Sequence, residues 1–420
     1  MKNPAGIASE PGVSTPKPHM VGRVFKALSY RDFRLMWMGA CVSTIGTWMQ
    51  ILAQAWLVYT LSNNAFYLGL DTFLGQAPIV LFSLVGGVIA DRRDRRKMLL
   101  MSQYIQMFSA FMLTALFYFH VVQVWHILCL SFVSGIGQSF GGPAYSALLP
   151  TLVPQDDYPN AIAWNSIQFN LGRLIGPTLA GLALLKLNAT WCFGLNGISF
   201  IAVIISLYII NVGFIPARST ERILTSMKEG IAFIRTRPGL VSLILLAFSM
   251  ALFGFQLLPF LPVFAKEVFH GNASTYKNLL ISSAAGSVCG ALMVAGLGRT
   301  KRQGRTALWM LLVLSGLIIG FAASKSFWLS CVLLFLGGAA LMTVFAMIQS
   351  LVQASAADKM MGRVMSVYNV AFRAGMPVGS LIIGRMIPIF TVSRTIEYTG
   401  SVLALLALYF LVIHRKIGTM

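Results

Sequence analysis

The chain has 420 residues, of which 32 are Lys or Arg and 12 are Asp or Glu, giving a formal charge of +20. At 57% hydrophobic and 10% charged it lacks the polar side chains to cover a water-exposed surface, where charged residues approach a quarter of the total. That excludes a string of soluble domains and describes an integral membrane protein.

A helix needs about 20 apolar residues to cross a hydrocarbon core ~30 Å thick, and lipid obliges each span to satisfy its own backbone hydrogen bonds. The apolar runs are solid rather than alternating, so helices are expected, not a barrel. In chain order they cover 35–61, 66–90, 98–119, 125–150, 161–187 and 191–212, then, after a polar segment, 243–265, 279–297, 307–323, 327–352, 364–388 and 399–413. The predicted fold is all-α, with twelve transmembrane helices. The predicted organisation is a disordered tail over 1–33, rich in Pro (Pro4, Pro11, Pro16, Pro18) and without a cleavable signal, a six-helix bundle over 34–212, a linker over 213–240, a second bundle over 241–414 and a short tail over 415–420.

With the N-terminus placed inside, 24 of the 32 basic residues fall in cytoplasmic segments and six at outer ends, leaving Arg173 and Arg373 within spans. This asymmetry orients the chain in a cytoplasmic membrane with both termini inside. It also provides for contact with anionic lipid and not for nucleic acid, because the charge is dispersed over short loops.

The second half repeats the first. Arg173-x-x-x-Pro177 matches Arg373-x-x-x-Pro377 at an offset of 200, Asn64-Ala65 matches Asn272-Ala273 at 208, and Arg95-Arg96 matches Gly304-Arg305 at 209. A duplicated six-helix unit predicts this shared order and offset. In the linker, Ile223, Met227, Ile231 and Ile234 recur at helical spacing beside Arg222, Lys228 and Arg235, predicting an amphipathic helix on the membrane surface.

The segment Gly87-Val-Ile-Ala-Asp91-Arg92-Arg-Asp94-Arg95-Arg96-Lys97 resembles the loop 2-3 signature of the major facilitator superfamily, with Asp94 where Gly is usual. Arg31-Asp32-Phe33-Arg34-Leu35, Ser43-x-x-Gly46-Thr47-Trp48, Leu57-Val58-Tyr59 and Leu258-Pro259 through Val263-Phe264 are similar to its enterobactin-exporter and macrolide-efflux branch. Span 4 has Ser131 near the place where that superfamily's second motif carries Arg, and span 5 has only part of the antiporter motif, Gly172-x-x-x-Gly176-Pro177-x-x-x-Gly181. The resemblance implies two pseudo-symmetric bundles that export a siderophore- or drug-like compound by alternating access, coupled to protons. Small-molecule cargo is implied with it, and the almost wholly apolar outer spans 9 and 12 permit a monomer without requiring one. Uptake of an anionic metabolite or lipid-like molecule, and a non-transporting sensor, stay open as alternatives.

Individual residues sharpen these expectations. Gly87, Asp91, Arg92, Arg95 and Arg96 are candidates for a cytoplasmic gate, the arginines reaching Asp156 and Asp157; the plainer reading is positive-inside charge. An arginine at mid-span costs ~3 kcal/mol or more unless it faces water or a partner. Arg173 and Arg373 are therefore either anion anchors in a central cavity or caps for carbonyls loosened by Pro177 and Pro377. Asp71 is the acid clearly inside a span: a proton-coupling carboxylate, half of an outer pair with Arg385, or a lipid-edge or solvated Asp. Gln50, Gln54, Asn165, Gln168, Asn170, Gln256, Gln349 and Asn369 are further cavity candidates. Phe253, Phe255 and Phe260 are either ring-stacking or packing residues. Gly176, Pro177 and Pro377 are candidate hinges, and glycines such as Gly337-Gly338 are expected to bring helices close. The five cysteines stand singly, no Ser-His-Asp or paired-carboxylate constellation lies at membrane depth, and no phosphate-binding G-x-x-x-x-G-K-S/T occurs. Neither an enzyme nor a cofactor or metal is expected.

Overall fold

The computed structural model describes residues 25–92, 94–210, 223–297, 303–356 and 360–412, and the side chains of 84–93, 185–186, 223–226 and 295–297 lie outside the description. The long helices are α1 (Arg31–Ser62), α2 (Ala65–Arg92), α3 (Arg95–Tyr118), α4 (Val124–Leu148), α5 (Tyr158–Lys186), α6 (Ala189–Ile209), α7 (Pro238–Val268), α8 (Ala273–Leu297), α9 (Gln303–Ala323), α10 (Phe327–Ser355), α11 (Met361–Phe390) and α12 (Val392–Val412). Eleven are long and apolar enough to cross a membrane. The exception is α5, whose 29 residues include Asn160, Asn165, Gln168, Asn170 and Arg173.

The packing is that of two pseudo-symmetric six-helix bundles. In the first half α1 packs on α5 and α6, α2 on α4, and α3 on α4 and α6. In the second, α7 packs on α11 and α12, α8 on α10, and α9 on α10 and α12. Between the halves α2 packs on α11 and α5 on α8, with smaller contacts from α1 to α7 and α8. The repeated Asn-Ala pairs do the same job twice. Asn64 Oδ1 accepts from Phe66 N at 2.9 Å and Asn272 Oδ1 from Ser274 N at 2.9 Å, each satisfying an orphan N–H at a helix start.

We call the face where α1 begins the basic face. At the other face the halves are sealed: Tyr59 Oη donates to Glu267, Lys266 Nζ donates to Asn63 Oδ1 at 2.6 Å and lies 5.4 Å over the Tyr59 ring, and Trp56 stacks on Tyr276 at 6.2 Å. Among the described residues, the hydrogen bonds and ring contacts between halves all belong to this seal.

α7 is the jointed helix. It passes through a π-helical turn (Met250–Gly254), a 3-10 turn (Phe255–Leu257) and, beyond Pro259 and Pro262, a second π-helical turn (Phe264–Val268). Irregular backbone at this depth must be re-satisfied by protein. Gln256 Nε2 supplies this, donating to Ala251 O at 2.9 Å and Met376 O at 3.0 Å.

One expectation is corrected. The tail predicted over 1–33 is folded from residue 25, because the turn Lys26–Ser29 is tied to the start of α5: Lys26 Nζ lies 2.8 Å from Asp157, Tyr30 Oη donates to Asp157 at 2.6 Å and Ala27 N donates to Asn160 Oδ1 at 2.9 Å. Residues 1–24 and 413–420 lie outside the described residues. The linker helix Ile223–Arg235 forms and packs on α11 and α7, with Gly230 against the Arg363 backbone and Glu229 paired with Arg363.

The Asp157 clamp carries a prediction. Hydrogen bonds from Lys26 and then Tyr30 hold the Asp157 carboxyl below the usual carboxylate range, and the same Asp157 bond raises Lys26. The Asp157 contribution is lost only as pH falls through that lowered value, and that of Lys26 only as pH rises through its raised one. Asp157→Asn is expected to speed tryptic cleavage after Lys26 and Arg31 several-fold, equally at pH 7 and pH 8.5. Cleavage at the parent rate would exclude the clamp.

Candidate functional site

In the first half, Asp71 of α2 is met from two other helices. Gln54 Nε2 donates to its two carboxylate oxygens at 3.0 and 2.9 Å, and Ser131 Oγ of α4 donates to Oδ1. The network continues inward: Gln50 Nε2 donates to Gln54 Oε1 at 3.3 Å, Asn196 Nδ2 of α6 to Gln50 Oε1 at 2.7 Å, and Ser199 Oγ to Asn196 Oδ1 at 3.1 Å. Gln50 and Gln54, expected in the cavity, are thus spent on this network. No cation pairs with Asp71 among the described residues, and Arg385 stands exposed on α11, so the alternative Asp71–Arg385 pair is absent.

Around Arg173 the sequence candidates do come together. Its guanidinium lies 5.7 Å over the Trp48 ring, and Trp48 meets Phe169 edge-on at 5.7 Å. Below them Gln168 Nε2 donates to Thr44 Oγ1 at 2.8 Å, while Tyr145 Oη lies 2.9 Å from Asn165 Oδ1 and 3.3 Å from Gln168 Oε1. Asn170 donates to Ser166 O at 2.8 Å. Sequence reasoning about sites passed over Thr44, Trp48, Phe169 and Tyr145. The tryptophan stood in a segment carrying the family resemblance, which was the available signal.

In the second half, Gly362, Ser366, Asn369 and Arg373 are all exposed. At 3.6 residues per turn they share one face of α11 with Ser380 and Gly384. Those last two meet Gly69 of α2 near the sealed end. The face that touches the other half at one end is therefore exposed at the other, Arg373 included. Beside it Phe372 contacts Phe255 at 5.4 Å and Phe345 at 4.9 Å, and stacks with Tyr368 at 6.4 Å. Phe253 is half-buried, while Phe260 is fully buried and serves as packing. Gln256 is 1% exposed and satisfies backbone rather than lining a cavity; Gln349 is half-buried on α10.

The gate candidates are placed differently from expectation. Arg95 Nη1 donates to Ala147 O at 2.9 Å and Arg96 Nη2 to Tyr208 O at 2.9 Å. Each guanidinium meets the negative end of a neighbouring helix, α4 or α6. Neither pairs with Asp157, which Lys26 and Tyr30 occupy. Asp94 instead caps α3, accepting from Arg96 N at 3.0 Å. The side chains of Gly87, Asp91 and Arg92 lie outside the described residues. Among the hinge candidates, Pro177 and Pro377 sit within continuous α5 and α11, and Gly176 packs against Trp48 and the α1 backbone.

Two halves of matched plan, sealed against each other at one face, define a major facilitator transporter. Residues 23–420 match the family model described as transmembrane secretion effector, and the chain belongs to that family. It is 24% identical to macrolide efflux protein A of Streptococcus pyogenes, covering 83% of this chain and 88% of that protein. To the staphyloferrin A transporter of Staphylococcus aureus it is 26% identical, over 89% and 94%. The enterobactin exporter of Salmonella typhi is 22% identical, over 91% and 92%. In fold it is similar to a bacterial homologue of the lysosomal transporter Spinster, with a TM-score of 0.73 at 14% identity over 93% and 98% of the two chains. The protein is a multi-pass membrane transporter of small molecules, of the efflux type, and not an enzyme.

Proposed function

We propose that the protein exports a ring-bearing organic anion, siderophore- or drug-like, across the cytoplasmic membrane by alternating access in exchange for protons. The basic face with both termini is cytoplasmic, a monomer suffices, and the conformation described is open inward and sealed outward. The observation that carries the reading is the pair of arginines: Arg173 above Trp48 and Phe169 in one half, and Arg373 beside the Phe255, Phe345 and Phe372 rings on the open face of the other. Charge-assisted bonds hold an anion from both sides while the rings pack its aromatic part. The names of the relatives support the outward direction. Asp71 is the coupling carboxylate: within the membrane, joined to neutral donors and, among the described residues, to no cation, it takes and gives up a proton.

The test is uptake into everted membrane vesicles of a catecholate siderophore, a macrolide and a cationic dye, with and without an acid-inside gradient. Gradient-driven accumulation of the catecholate is expected, with loss of that accumulation in Asp71→Asn. Accumulation of the dye alone would overturn the anion reading. Accumulation unchanged in Asp71→Asn would remove that carboxylate from coupling, and catecholate movement of opposite sign would make the protein an importer of anions.

A further inference from the structure

The interface between the halves is built twice, and unequally. At the offset of 208 that aligns Asn64-Ala65 with Asn272-Ala273, Gly69 of α2 aligns with Lys277 of α8. Gly69 meets Ser380 and Gly384 of α11 backbone to backbone. At the matching place in the other interface the Cβ, Cγ and Cδ atoms of Lys277 lie on Gly181 of α5, so that a Cβ at Gly181 would strike that stem. Close packing needs no side chain at this position, as Gly69 shows, yet the second copy of the interface carries a cation.

That cation has no partner. α5 and α8 contain no Asp or Glu, and Lys277, half-buried, makes neither an ion pair nor a hydrogen bond among the described residues. The other cations toward the sealed face differ: Lys266 is spent on Asn63 and the Tyr59 ring, while Lys325, Arg385 and Arg394 are exposed. An ammonium held between membrane helices is costly unless it serves water or a partner. Gly181 lies eight residues after Arg173, about 12 Å along α5 toward the sealed face. Lys277 follows Tyr276, whose ring stacks on Trp56 within the seal. Lys277 therefore stands one step outward of Arg173, on the line where α5 meets α8.

We propose that Lys277 is a second anion site, an exit station that takes the oxyanion group of the cargo after Arg173 and Arg373 release it. In the sealed conformation its stem fills the space over Gly181. When α5 and α8 part, the stem loses Gly181 and the ammonium meets the opened cleft, where a strongly hydrated point charge holds an anion loosely. Passage between two weak sites lets the anion leave without surrendering all its charge-assisted bonds in one step. The site serves release and not loading. The order of the exchange is unchanged, the anion departing outward before a proton enters at Asp71 from the same side. The inference rests on the reading of the cargo as an anion.

The test compares Lys277→Met, which keeps the stem and removes the charge, with Lys277→Arg, which keeps both. Transport of a catecholate siderophore is measured from each face, in everted vesicles under the acid-inside gradient and in right-side-out vesicles by counterflow. From the cytoplasmic face Lys277→Met is expected to keep the parent half-saturating concentration and to lose several-fold in maximal rate. From the outer face its half-saturating concentration is expected to rise several-fold. Lys277→Arg is expected to give parent values at both faces. Parent values for Lys277→Met at both faces would mean an idle charge, and equal losses in both variants a packing role on Gly181. An equal rise in half-saturation at both faces would place Lys277 in the loading site. Each of these overturns the exit station and leaves the arginine reading standing, whereas a parent that moves the cationic dye alone removes both.

Discussion

Gly69→Leu is expected to reduce transport by about two decades while leaving the protein folded. A Cβ at Gly69 would lie against the Ser380 carbonyl and 3.1 Å from Gly384 Cα, and one at Gly384 would lie 3.1 Å from Gly69 Cα. The helices touch there backbone to backbone, so no side chain can rotate away and the only relief is separation of α2 from α11. Overpacking costs about 1–3 kcal/mol, and at 1.4 kcal/mol per decade the upper value disfavours the sealed state roughly a hundredfold. Gly69 points across the divide and not into its own bundle, so thermal stability within each half is spared. The measurements are vesicle transport, outside labelling of Ser380→Cys and a melting curve. Parent transport rates in Gly69→Leu would show that the cycle does not need this contact.

The second large effect separates two neighbours. Gly338→Ala is expected to cost about 3 kcal/mol and to leave little folded protein, whereas Gly337→Ala is expected to gain about 0.5–1 kcal/mol by restricting the unfolded chain. The Cβ at Gly338 would strike the Ser283 carbonyl and approach Ser287 N at 3.1 Å on α8, backbone that cannot give, while nothing lies within 4 Å of one at Gly337. Purified yield and melting temperature of the two variants decide it. Equal behaviour would mean that α8 and α10 are not held by this close approach.

These glycines show where sequence reading stops. The fold was legible because lipid makes span length and apolarity nearly sufficient: even α5, which falls short of a hydropathy criterion, stands out as the run 161–187 and ends within a few residues of it. Rotation about each helix axis was not legible. In a membrane most helices are apolar on all sides, so no stripe distinguishes Gly337 from Gly338, or Phe260, fully buried, from Phe255 among its rings. The partners of Asp71 were hidden for the same reason. Gln54 and Ser131 were each visible as polar residues in a span, but their convergence depends on α1 and α4 flanking α2. Arg95 and Arg96 were read by charge and sought acids. The nearer demand was the unpaired carbonyl ends of α4 and α6, which a linear sequence does not reveal.

The contrast between α1 and α7 gives the two halves unequal mechanical duties. α1 is an unbroken 32-residue helix, whereas its pseudo-symmetric counterpart is segmented by two π-helical turns and a 3-10 turn. A rod transmits displacement without absorbing it, and a jointed strut yields locally. In the exchange proposed above, the unbroken helix would keep the Asp71 carboxylate at constant geometry, while the segmented one would let the Phe255, Phe345 and Phe372 rings adjust to the outline of the cargo. That proposal would assign fidelity of energy transduction and tolerance of substrate shape, usually competing demands on one cavity, to different walls.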